Sequence, residues 1–303
     1  MPFSPRRNLA THHKMRGNHD VDLGIFRASI IDLYNNDTCI SDENSHHPAT
    51  TMPLDTSSYT LAHLRLDGRR WNELRHIHGQ ISTQAAADGS SYLEMGNTKI
   101  LCTVSGPTES RRTNRTESAT AAISVDLSIA GFSAVDRKKS SRTDKRVTEM
   151  QHTIGAAFES TLFTHLYPHS TISITLNVLS QDGSLLACAI NAATLALVDA
   201  GVPMSDYVAA CTAGSTASYA SNDEEADPLL DLNGAEEQEL PFLTVATVGK
   251  EGGVCVLMME TRVQVSRVES MLAVGVDGAG RVREVLDGIV RAHGKSVLAK
   301  NRT

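Results

Sequence analysis

The chain has 303 residues, with 28 Lys and Arg against 35 Asp and Glu for a formal charge of −7, and is 41% hydrophobic and 21% charged. This composition excludes full disorder and collagen-like structure and leaves enough apolar residues for a large core. No apolar run approaches the roughly 20 residues of a bilayer-crossing helix, and no apolar stretch follows Arg6 and Arg7, so neither membrane insertion nor secretion is expected.

Residues 1 to 58 are polar, lack a sustained period and read as a disordered tail. Their paired histidines, His12-His13 and His46-His47, have no third ligand at a metal-binding spacing, and no metal is expected. The five cysteines, Cys39, Cys102, Cys188, Cys211 and Cys255, form no C-x-x-C pair and read as buried thiols in a reducing compartment.

Organised sequence begins near Leu64. Strands are predicted at Ile81 to Ala85, Tyr92 to Met95 and Lys99 to Val104, separated by turns at Asp88-Gly89 and Gly96-Asn97. Ile123, Val125, Leu127 and Ile129 alternate with polar residues and predict a strand at Ala121 to Ile129. A helical stripe (Met150, Ile154, Ala157, Phe158, Leu162, Leu166) predicts a helix over Val147 to Leu166, ended by Pro168. A strand at Thr171 to Leu179 then leads to a helix of small residues at Leu185 to Ala200, closed by Gly201 and Pro203.

The second half repeats the plan, with strands at Tyr207 to Ala213, Phe242 to Val248 and Val254 to Glu260 and a helix from Arg267 to Leu298. Strands then helices, twice, predicts an α+β fold, divided here into residues 59–203 and 204–303. The second part carries an acidic insertion at about 221–240, expected as a surface loop. Asn222 to Leu240 holds eight acids and no base, whereas Arg111 to Arg146 holds nine bases against four acids. The basic stripe suits a polyanion partner, because each neutralised phosphate releases counterions. A solvated basic loop is the plainer reading of charge alone.

Leu66-Asp67-Gly68-Arg69-Arg70, Glu73-Leu74-Arg75, Asp88-Gly89-Ser90, Gly96-Asn97-Thr98 and Gly106-Pro107 stand in this order along the chain. Lys145-Arg146-Val147-Thr148-Glu149-Met150, Leu179-Ser180-Gln181-Asp182-Gly183, Asn191-Ala192-Ala193-Thr194-Leu195-Ala196, Asp199-Ala200-Gly201-Val202-Pro203-Met204 and Leu230-Asp231-Leu232 follow. Together these motifs resemble the RNase PH family of phosphate-dependent 3′ to 5′ exoribonucleases. The match spans residues 64 to 298, and within the family it resembles the eukaryotic RNA exosome subunit related to the catalytic subunit of the archaeal exosome.

The resemblance implies a layer of the ribosomal-protein-S5-domain-2 type followed by a second α/β layer. It implies partners too: other RNase PH-like exosome subunits in a hetero-hexameric ring, S1/KH cap subunits, an associated hydrolytic nuclease, and single-stranded RNA threaded through the centre. Residence in the nucleus, including the nucleolus, and in the cytoplasm follows from the same likeness. Family members hold phosphate with an arginine that falls on Arg146 and with a Gly-Thr-Arg run that falls on Ser184-Leu185-Leu186. Leucine at 186 cannot supply the charge-assisted bonds, each about 1.5–3 kcal/mol, that a guanidinium gives an anion.

Asp182 corresponds to a general acid or magnesium ligand in an active member, and otherwise reads as a turn-forming residue before Gly183. Arg111, Arg112 and Arg115 are expected to guide RNA at the ring entrance, and Arg137, Lys138, Lys139, Arg142 and Lys145 to contact it in the lumen. Phe132 is a candidate for base stacking or for the core, and Trp71 is expected to pack the N-terminal arm. The expected function is a non-catalytic ring subunit that binds and threads RNA and needs no cofactor. The alternatives are a phosphorolytic exoribonuclease, which needs magnesium and inorganic phosphate, and a stand-alone RNA-binding scaffold.

Overall fold

Alternating apolar residues build the first sheet. The computed structural model describes residues 64–109, 120–134, 137, 144–216, 227–250 and 252–300, all within the unit that begins at Met52. Strands β1 (Ile77–Ile81), β2 (Gly89–Met95), β3 (Thr98–Glu109), β4 (Ala122–Ile129) and β5 (Ser170–Ser180) form a five-stranded sheet of order β1-β2-β3-β5-β4. The pairing is antiparallel except between β4 and β5. Ile100, Cys102 and Val104 of β3 and Ile172, Ile174, Leu176 and Val178 of β5 are fully buried, as a half-buried strand of period two requires. The strand expected at Ile81 to Ala85 lies earlier. Its register is set by β2, with Ile77 opposite Met95 and Ile81 opposite Ser91.

The second sheet has the order β7-β6-β8-β9, made of β6 (Val208–Ser215), β7 (Pro228–Leu230), β8 (Phe242–Val248) and β9 (Gly253–Met259), all antiparallel. Every residue of β6 is buried, because helices pack against it from both halves of the chain. One is α2 (Leu185–Asp199), apolar all round and buried from Leu185 to Leu197, which also packs on β2 and β3. The other is the long helix from Val265 to Lys300. Helix α2 is thus the shared wall between two sheets, and one buried cluster runs through both.

Helix α1 (Lys145–Thr161) starts at Asp144, whose carboxylate accepts the Arg146 N–H. It ends at Thr161 rather than Leu166, and a short 3-10 turn, Thr164–Leu166, follows. The expected acidic surface loop is corrected more substantially. Residues 228–239 form β7 and a short helix, α3 (Gly234–Glu239), while the long C-terminal helix becomes α4 (Val265–Lys300). Glu236, read as a solvated acid of that loop, is fully buried, whereas Leu230-Asp231-Leu232, expected as an ordered strand end near the site, does lie at the end of β7; arginines from the start of the described chain reach both acids. Cys102, Cys188 and Cys211 are buried free thiols, as expected, and Cys255 is partly buried. Cys39 lies outside the described residues.

Candidate functional site

Two buried ion pairs fasten the arm, residues 64–75, across the segment that carries β7 and α3. Arg65 pairs with Glu236, with both side chains fully buried, and donates to the carbonyls of Leu230 and Asp231 at 2.5 and 3.0 Å. Arg75 pairs with Asp231 at 2.8 Å. The Trp71 carbonyl accepts the Leu230 N–H, and the indole packs against Leu229, Leu232, Leu240 and Phe242, the packing role expected of it.

Arg75 and Asp231 also organise the turn before α2. Arg75 donates to the Asp182 carbonyl at 2.5 Å. Asp231 accepts the Ser184 hydroxyl at 3.0 Å and the Arg75 N–H at 2.9 Å. Ser184 and Asp231 both adopt left-handed backbone, φ 52° and 51°, and Gly183, which precedes Ser184, has φ 75°. A Cβ on Gly183 would lie 2.6 Å from the Asn233 carbonyl carbon, so only glycine fits there. Burial pushes the Asp231 carboxyl up, but the Arg75 charge and hydrogen bonds outweigh it and hold the group below its usual range.

Asp182 faces a different set of partners. One oxygen accepts from the Asn97 amide at 2.9 Å and the other from the Gly234 N–H at 3.0 Å, which satisfies an orphan donor of α3. Both oxygens are therefore engaged within the fold.

Beside this turn lies a groove walled by Arg146 and Met150 of α1, Leu185 and Leu186 of α2, Glu237 of α3, Phe242 and Thr244 of β8, Met258 of β9, and Glu260. Arg146, half-exposed, pairs with Glu260 at 3.4 Å. Leu186 is 5% exposed. At the N-terminus of α2 the Ser184 N–H donates to the Glu237 carboxylate at 2.8 Å, so a resident anion sits at the positive end of the helix. Burial raises the Glu237 carboxyl above its usual range, opposed by the Ser184 N–H and by Arg146. One cation thus faces two carboxylates in the groove.

The remaining sequence-predicted residues are dispersed or undescribed. Arg137 and Lys145 are exposed; Arg111, Arg112, Arg115, Lys138, Lys139 and Arg142 lie outside the described residues. Phe132 is 65% exposed, which overturns its reading as a core residue. Glu237 and Glu260 were not singled out in the sequence, where they look like ordinary surface acids. Arg75 and Asp231 did carry a signal, since each sits in one of the motifs already quoted.

The family model described as 3′ exoribonuclease family, domain 1, matches residues 73–203. The exosome complex component SKI6 of Saccharomyces cerevisiae is 40% identical over 237 residues, covering 78% of this chain and 93% of the relative. The chain belongs to the RNase PH family. Human exosome complex component RRP41 is 38% identical, over 76% of this chain and 91% of its own length. Among solved structures, rice Rrp46 superposes with a TM-score of 0.62 at 27% identity, covering 74% of this chain and 98% of its own. An Archaeoglobus fulgidus exosome with RNA bound to the active site gives 0.63 at 18% identity, over 76% and 95%, a likeness of fold.

The two sheets and the shared α2 are therefore an RNase PH fold. Within this family member, the groove does not fit inorganic phosphate. Leu186 contributes no charge to its wall, Arg146 pairs with Glu260, and Glu237 occupies the helix terminus. A bound anion would meet two carboxylates against one guanidinium, so the groove offers it no net positive charge. Each Asp182 oxygen accepts one hydrogen bond, from Asn97 or from Gly234, and among the described residues no three His, Cys, Asp or Glu side chains converge as a metal site.

Proposed function

We propose that this chain is a core ring subunit of an RNA exosome that binds and threads single-stranded RNA for 3′ to 5′ processing and degradation without catalysing phosphorolysis. The observation that carries the reading is the groove, where Arg146 pairs with Glu260, Glu237 accepts the Ser184 N–H at the start of α2, and apolar Leu186 stands where the family resemblance places an arginine. The curated relatives named exosome complex components support the assembly part of the reading. Its partners are other RNase PH-like subunits in a hetero-hexameric ring, S1/KH cap subunits and a hydrolytic nuclease that performs cleavage. The complex works in the nucleus, nucleolus and cytoplasm, and this subunit needs no cofactor for its role.

The test is to incubate the chain, alone and with an RNase PH-like partner subunit, with 3′-labelled single-stranded RNA, magnesium and phosphate. No nucleoside diphosphate and salt-sensitive RNA binding are expected. Phosphate-dependent release of nucleoside diphosphates would replace this reading with the phosphorolytic one.

A further inference from the structure

Phe132 stands on a turn that the fold holds rigidly, yet its ring is 65% exposed. The Ala130 N–H donates to the Val178 carbonyl at 3.1 Å, the Ser133 N–H to the Ala130 carbonyl at 2.9 Å, and the Gln181 N–H to the Ser133 carbonyl at 2.9 Å. Ser133 itself is buried. The exposure of the ring is therefore not fraying: both backbone flanks are bonded, and the phenyl group is held out into water. We propose that Phe132 is a base-stacking platform for single-stranded RNA, an inference that rests on the RNA-binding reading above.

Three observations favour a base as the occupant. Among the described residues, no other large exposed apolar side chain belongs to this turn, and Gly131 and Ala134 beside it are small. A protein interface is built on a contiguous apolar patch, whereas an isolated aromatic ring suits one planar base. The charges nearby in the chain are mixed but mostly basic: exposed Arg137 follows Asp136 just beyond the turn and exposed Lys145 follows Asp144 at the start of α1, an excess that complements a phosphate backbone. The turn is also bonded to Gln181, four residues before the groove wall at Leu185, a separation of at most roughly 14 Å along an extended chain. A ring fixed in advance loses little freedom when a base settles on it.

The experiment measures binding of the full chain to fluorescein-labelled oligouridylate and to an abasic ribose-phosphate oligomer of equal length. Phe132→Ala is expected to weaken oligouridylate binding by about 5- to 150-fold. It should leave abasic binding and the slope of affinity against salt unchanged, because the phenyl ring neutralises no phosphate. Phe132→Trp should keep the affinity and show emission quenched by oligouridylate and not by the abasic oligomer. Equal oligouridylate affinity for Phe132→Ala and the wild type would overturn the platform while leaving the RNA reading intact. The same result with lost association to an RNase PH-like subunit would make the ring a protein contact. A wild-type chain that binds neither oligomer at low salt would overturn both readings.

Discussion

Asp231 ionises where burial opposes it, and Glu237, close by, is pushed the other way. Removing the first charge strands Arg75: Asp231→Asn should cost about 3–5 kcal/mol in urea unfolding, since a buried guanidinium keeps its desolvation penalty without its partner. The pH signs are opposite. The Asp231 pair stabilises the fold above the ordinary Asp range, and that contribution is lost as pH falls through its lowered value. Glu237 keeps its proton longer in the folded state, so its effect is to lower stability as pH rises from the ordinary Glu range through its raised value. Glu237→Gln should flatten urea midpoints across that upper window and leave the acid limb unchanged. In the groove, Leu186→Arg alone should not produce calorimetric phosphate binding. Leu186→Arg with Glu237→Gln and Glu260→Gln should produce it, and equal weak binding by both variants would sink the electrostatic account. Much of this site was hidden from the sequence for a physical reason. Arg146 stands in a quoted motif and Leu186 just after one, but what pairs with Arg146 is an acid more than a hundred residues away, and chain separation carries no periodic signal.

At the scale of elements, the sequence was legible wherever one face of a strand is buried, as in β4, or both faces are, as in β8, which begins and ends where its apolar run does. It misled at β1, where Ile77 and Ile81 are separated by polar residues and the register is fixed by β2. It misled again at α3, whose acids look solvated although Asn233 and Glu236 cap each other reciprocally, with the Glu236 N–H 2.9 Å from the Asn233 carboxamide oxygen. Helix α4 offers a paired test. A Cβ on Gly278 would lie 2.4 Å from Leu230 Cδ1 and 3.1 Å from Cys211 Sγ, whereas one on Gly288 meets nothing within 4 Å. Gly278→Val should destabilise by about 1–3 kcal/mol through overpacking. Gly288→Ala should stabilise by about 0.5–1 kcal/mol, because alanine loses less backbone freedom in a helix. Thermal or urea unfolding of both variants checks the pair.

For the whole molecule, the second sheet ends in β9, an edge strand that exposes Val254, Leu257 and Met259. Unpaired edges with apolar side chains template association. The isolated chain should therefore show concentration-dependent sedimentation that Leu257→Lys suppresses without lowering the unfolding midpoint. The shared wall of α2 was readable as an apolar helix, but its position between two sheets was not, since composition does not say which layers a buried helix serves. The clasp between the arm and α3 also has a consequence on the ribosome. Arg65 and Glu236 are 171 residues apart, and synthesis at ~5–20 residues per second separates their appearance by roughly 10–30 s. Through that interval the nascent chain carries Arg65 and Arg75 with their buried counterions not yet made. The arm of residues 64–75, first of the described residues to be translated, is thus among the last to take its place, and a chain stalled before residue 231 leaves it loose.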